Sequence, residues 1–191
     1  MKEFRCVLTN LEKHIQLTPE EVNLFISHLH HAKLQKQETL LEQAAFCDAI
    51  YFVNEGMLRA FSLAEDGKEH TVMFATSDWW ITDMFAFVKE QKSVVSIEAL
   101  VPSSVLRLSK LDYEELLFQI PKLERFFRIL MQNAYIREQR RSMENLALPA
   151  KEKYEIFKNR YPEISKQLNQ KQIASYLGIT PEFLSMIRNN S

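Results

Sequence analysis

From Lys122 to Leu148 the chain contains neither glycine nor proline, and no other feature restricts its fold as strongly. Pro121 stands where a helix has no use for an N–H, and Leu148-Pro149-Ala150 supplies the stop. The stretch predicts a single helix over 121–148, about 42 Å long. Leu123, Phe126, Phe127, Leu130, Met131 and Ala134 recur along it at three- and four-residue spacing, and the basic run Arg137-Glu138-Gln139-Arg140-Arg141 follows. A small domain cannot cover a stripe on so long a rod, so part of the stripe is expected to pack against a second copy.

The helix separates two regions of different texture. Before it, Thr18-Pro19-Glu20-Glu21 is a helix start, with a Thr cap, Pro in the first turn and acids behind it. Val22, Leu24, Phe25, Leu29 and Ala32 continue a helical pattern from Glu20 to Leu34. Short β-rich runs follow: Ile50 to Val53, Met57 to Leu63, His70 to Ala75, Val94 to Leu100 and Ser104 to Leu108. Ala64-Glu65-Asp66-Gly67-Lys68 carries an Asp-Gly turn, the strongest hairpin signal in the chain. After Ser109, the residues Leu111, Leu116, Leu117 and Ile120 mark one more short helix. The fold class expected is α+β: an N-terminal antiparallel β-barrel of jelly-roll type over residues 1–120, a long dimerisation helix over 121–148, and a helical domain over 149–191.

The terminal region is the most specific. Residues 170–187 predict two helices joined by a tight turn, with Ala174 small where the second helix crosses and Gly178 free to take positive φ where the first ends. Ile173, Leu177, Ile179, Leu184 and Ile187 form the apolar seam, Thr180 caps the second helix and Pro181 opens it. This is a helix-turn-helix pattern, and its second helix would offer Pro181, Glu182, Ser185, Met186 and Arg188 to a DNA major groove. Glu182 can accept from a cytosine amine, and Ser185 can serve a base or a phosphate. Because that face is poor in arginine, phosphate contacts from Lys166, Lys171, Arg188 and helix-start amides are expected to carry much of the affinity.

Charge agrees with this division. Residues 121–191 hold 13 Lys and Arg against 7 Asp and Glu, whereas residues 1–120 hold 11 against 18, although the whole chain has a net charge of only −1. A basic C-terminal region suits a module that meets phosphates. Cys6 and Cys47 alone cannot build a disulfide framework or an iron–sulfur site, and they suit a reducing cytoplasm. No apolar run has the length of a membrane span, and the N-terminus lacks the apolar core of a signal peptide. His28, His30 and His31 read as solvated residues of a surface helix and His70 as a surface residue, so no metal is expected. No nucleophile elbow, phosphate loop or paired-carboxylate motif occurs, which argues against an enzyme; no cofactor is expected.

In the order of its parts the sequence resembles the Crp/Fnr family of bacterial transcription regulators. Gly56-Met57-Leu58-Arg59-Ala60 and Glu65-Asp66-Gly67-Lys68-Glu69 look like that family's barrel strands and hairpin, and Gln170 to Arg188 is similar to its DNA-binding unit. The resemblance implies a dimer on a palindromic operator of double-stranded DNA, a contact with RNA polymerase, and a barrel that senses a small-molecule effector. It also implies a phosphate-binding cassette, Gly-Glu followed by Arg-Ser/Thr-Ala, in members that bind cyclic AMP. Here the matching stretch runs from Trp80-Ile81-Thr82-Asp83-Met84 to Lys92-Ser93-Val94. The Gly is missing, Asp83 or Thr82 stands for the Glu, and Lys92 for the Arg, so the usual response to cyclic AMP is not expected. Trp80, Thr82, Asp83, Lys92 and Ser93 are the candidate effector-pocket residues. The family's β-hairpin wing after the second helix has no counterpart before Ser191. The alternative expectation is a sensing barrel whose terminal helices no longer bind DNA.

Overall fold

A computed structural model describes residues 2–189 and divides into two compact units. The first holds the residues up to Leu63 together with Val72–Met131, and the second holds Ala64–Thr71 and the residues from Gln132 on.

The first unit opens with α1 (Arg5–Glu12) and α2 (Pro19–Ser27). In α2 the Thr18 hydroxyl accepts from the Glu21 N–H while the Glu21 carboxylate accepts from the Thr18 N–H, a complete capping box with Pro19 behind it. The strands are β1 (His30–Leu34), β2 (Thr39–Leu41), β3 (Ala49–Glu55), β4 (Met57–Leu63), β5 (Glu69–Thr76), β6 (Trp79–Ile81), β7 (Ser96–Ala99) and β8 (Ser103–Ser109). Two four-stranded sheets result, ordered β1-β8-β3-β6 and β2-β7-β4-β5, and their assigned pairings are antiparallel. Between β6 and β7 lies α3 (Met84–Lys89), and α4 (Lys110–Gln119) follows β8.

One expectation needs correction. The helical pattern was expected to continue to Leu34, but α2 stops at Ser27 and His30–Leu34 form β1, paired from His30↔Arg107 to Leu34↔Ser103. Pairing with a distant strand overrides a local period that five apolar residues had suggested. His30 and His31 therefore lie on a strand, where His31 Nε2 meets Ser104 Oγ at 2.7 Å.

Both sheets feed a single core that includes Phe52, Val53, Leu58, Ile97, Val105 and Leu106. The long helix α5 (Lys122–Ala147) begins in this unit, where Leu123, Phe126 and Phe127 are buried. Trp80 packs across this layer, its ring centroid 5.2 Å from Phe52 and 5.7 Å from Phe127, and its Nε1 donates to Asn10 of α1.

The second unit contains the rest of α5, then α6 (Ala150–Arg160), α7 (Pro162–Gln167), α8 (Gln170–Leu177) and α9 (Pro181–Asn189). Phe157 is its aromatic centre, 5.6 Å from Tyr161 and 5.3 Å from Tyr176. Arg160 grips Glu144 of α5 with both guanidinium nitrogens, at 2.5 and 3.2 Å, and Arg141 lies 5.4 Å over the Tyr176 ring. Burial, with Tyr161 beside it, raises the Tyr176 phenol above its ordinary range. Compactness thus divides the chain inside α5, between Met131 and Gln132, whereas the sequence places boundaries at the ends of that helix.

Gly56 joins β3 to β4 with φ +95°, and a Cβ there would stand 2.7 Å from the Ser103 backbone Cα. Both the dihedral and the contact exclude a side chain. Gly56→Ala should destabilise the first unit by about 2 kcal/mol or more in urea unfolding; an unchanged midpoint would show that the β3–β4 connection yields freely.

Candidate functional site

Two places in the molecule carry the predicted site residues, one in each unit. In the second unit, Asn169 caps α8, accepting from the Gln172 N–H at 2.9 Å while the Gln172 side chain accepts from the Asn169 N–H at 3.1 Å. Gly178 ends that helix with φ +68°, the left-handed conformation its lack of Cβ makes cheap. Thr180 Oγ1 then accepts from the Phe183 N–H at 3.2 Å and Pro181 opens α9. Of the predicted apolar seam, Ile173 and Leu177 are buried on α8 with Ala174, and Leu184 and Ile187 on α9, while Ile179 between the helices is half-buried.

What remains outside is a row of accessible groups. Lys171, Thr180, Glu182, Met186 and Arg188 are exposed, while Pro181 and Ser185 are half-buried. Phe183 was not singled out from the sequence, yet it is exposed next to Met186. Their three-residue spacing was the available signal: it places both on one face of α9. That face can offer apolar contact as well as hydrogen bonds to base edges.

In the first unit the cassette residues separate. Asp83 is buried at the N-terminus of α3, and its carboxylate accepts from the Ala86 N–H at 3.1 Å, the Val94 N–H at 2.8 Å and the Ser93 hydroxyl at 2.9 Å. Thr82 donates instead to the Ala49 carbonyl at 2.8 Å and lies 3.1 Å from the Cys47 sulfur. Lys92 is exposed, and its bridge partner is Phe46. It is Ser93, ten residues after Asp83, that faces the carboxylate. Trp80 belongs to the aromatic layer with Phe52 and Phe127.

The arrangement has a chemical consequence. The hydroxyl and amide that could hold an anion already serve the protein's own carboxylate, and Asp83 would repel a second negative charge brought to the same donors. Sequence reasoning also passed over Arg59, a buried guanidinium whose Nε lies 2.6 Å from Glu98 and whose Cζ stands 4.2 Å over the Phe61 ring. The cross-strand register Arg59↔Glu98 creates that pair, and register is invisible to a local reading.

Among the described residues no group of His, Cys, Asp and Glu is arranged to hold a metal, and no helix is long and apolar enough to cross a membrane.

Residues 31–119 match the family model of the cyclic nucleotide-binding domain. Among solved structures, the c-di-GMP-responsive global regulator CLP of Xanthomonas campestris is 13% identical with a TM-score of 0.73, the alignment covering 91% of each chain. FixK2 from Bradyrhizobium japonicum is 15% identical with a TM-score of 0.75 over 85% of this chain and 83% of its own. A protein from Eubacterium rectale described as a transcriptional regulator of the Crp/Fnr family is 15% identical, with a TM-score of 0.70 over 91% of this chain and 83% of its own. At these identities the likeness is one of fold. No curated protein sequence matches the chain.

Proposed function

We propose that this chain is a DNA-binding transcription regulator of the Crp/Fnr type, working as a dimer and not controlled by a cyclic nucleotide in the usual way. The observation that carries the reading is the α8–Gly178–α9 unit: it buries Ile173, Leu177, Leu184 and Ile187 and leaves Lys171, Thr180, Glu182, Met186 and Arg188 on an accessible surface. A helix-turn-helix needs that combination, because the second helix must be held rigidly while its outer face stays free to enter a groove. Pro181 and Ser185 flank the same face. The fold likeness to known regulators supports the reading.

Dimerisation uses α5, but through other residues than the sequence stripe suggested. Leu123, Phe126 and Phe127 are spent in the first unit's own core, and Leu130 packs partly against it. Further along, Ile136, Met143 and Leu146 are exposed at spacings of seven and three residues, which is the period of a coiled-coil seam. A second copy is the natural cover for that seam.

The effector is a small molecule of another kind, and RNA polymerase is a separate contact of the DNA-bound dimer. A sensing protein without DNA binding is the second reading, and one observation favours it: Phe183 and Met186 expose apolar surface where arginine would strengthen groove contact.

Genomic selection at low salt should enrich a palindrome with half-sites about one helical turn apart, with affinity falling steeply as salt rises. Glu182→Ala should alter base preference at one position by about 1–3 kcal/mol, whereas Lys171→Ala should weaken all sequences alike; enrichment of no palindrome favours the second reading. Ile136→Glu should give monomers by light scattering and lose most operator affinity, because two half-sites are then no longer engaged together. A variant that stays dimeric moves the interface off α5. Calorimetry with cyclic AMP and cyclic GMP should give no heat at millimolar nucleotide, and micromolar binding that raises DNA affinity would sink the effector reading.

A further inference from the structure

With Leu184 and Ile187 of α9 buried, the residues that look outward from this helix are Glu182, Phe183, Met186 and Arg188, and Ser185 is half-buried beside them. Glu182 and Met186 are four residues apart and stand one above the other on the helix surface, while Phe183 lies three residues before Met186 on the same side. Met186 is therefore central to the face, with Glu182 and Phe183 as its neighbours. Met186 is 59% exposed and Phe183 46%, so neither is needed to seal the seam with α8.

A surface that meets DNA must match it in charge and in chemistry. The charge is in place: Lys171 and Arg188 are exposed, and residues 121–191 hold 13 Lys and Arg against 7 Asp and Glu. Such a region attracts a phosphate backbone. The chemistry is the selective part. Phe183 has no polar group and Met186 only a weakly accepting sulfur. A base edge whose donors and acceptors were pressed against these two side chains would lose its water without gaining a partner. One group in the major groove escapes that cost: the C5-methyl of thymine, the apolar group that unmodified base pairs present there.

We infer that α9 selects its site through thymine methyl groups, with Met186 as the principal reader and Phe183 covering a neighbouring position, in place of the bonds an arginine would make to guanine. The inference rests on the DNA-binding reading above and names what that surface recognises. Glu182 sets the register. Four residues along a helix span about 6 Å and successive base pairs lie about 3.4 Å apart, so the thymine read by Met186 falls within about two base pairs of the pair that Glu182 contacts.

The test starts from the duplex that selection at low salt enriches and replaces its thymines one at a time by deoxyuridine, which removes the methyl and leaves pairing and hydrogen-bonding groups unchanged. Affinity for the labelled duplexes is read by fluorescence anisotropy for the full chain and for its Met186→Ala, Phe183→Ala and Glu182→Ala variants. At the sensitive thymine of a half-site, loss of the methyl should weaken wild-type binding about fourfold, the effect of one buried methyl-sized group. Met186→Ala should bind the original duplex less tightly and treat thymine and deoxyuridine alike at that position, whereas Glu182→Ala still distinguishes them. That thymine should also lie close to the pair at which Glu182→Ala changes base preference. Equal affinity for thymine and deoxyuridine at every position overturns the inference while leaving DNA binding intact, as does a methyl effect that survives in both Met186→Ala and Phe183→Ala. If no sequence is enriched, the DNA-binding reading fails and this inference with it; light scattering of Met186→Glu then shows whether a second copy covers the face instead.

Discussion

A helix of 26 residues that must find cover along its whole length governs this molecule. Its first turns solve the problem with aromatic burial: Leu123, Phe126 and Phe127 leave water almost entirely beneath Trp80. Each such burial contributes on the order of 1.5–3 kcal/mol. Beyond Met131 the helix changes its means of attachment. Polar and charged groups take over, with Glu144 held by Arg160 and Arg141 laid over Tyr176. One rod belongs to both compact units, and beyond Met131 it leaves Ile136, Met143 and Leu146 exposed.

Between β6 and β7 a buried carboxylate organises the backbone around it. Asp83 satisfies three donors, one of them the first-turn amide of its own helix, and so does for α3 what any good N-cap does. Its negative charge is then fixed beside the Ser93 hydroxyl and the Val94 amide. The three donors compensate the desolvation of the buried carboxylate.

By itself the sequence determined the features whose causes are local. Gly-free and Pro-free continuity made α5 readable, Asp66-Gly67 the hairpin, Thr18 to Glu21 the start of α2, and Ala174, Gly178 and Thr180 the paired terminal helices. Tertiary structure decided whatever depends on a distant partner. It turned His30–Leu34 into a strand on β8, brought Ser93 and not Lys92 to Asp83, placed Trp80 in an aromatic layer instead of beside the cassette, and spent Leu123, Phe126 and Phe127 of the α5 stripe in the first unit's own core. The physical reason is the range of the interactions: caps, turns and helical periods are set within a few residues, whereas strand register and the direction of burial are fixed only when remote segments meet.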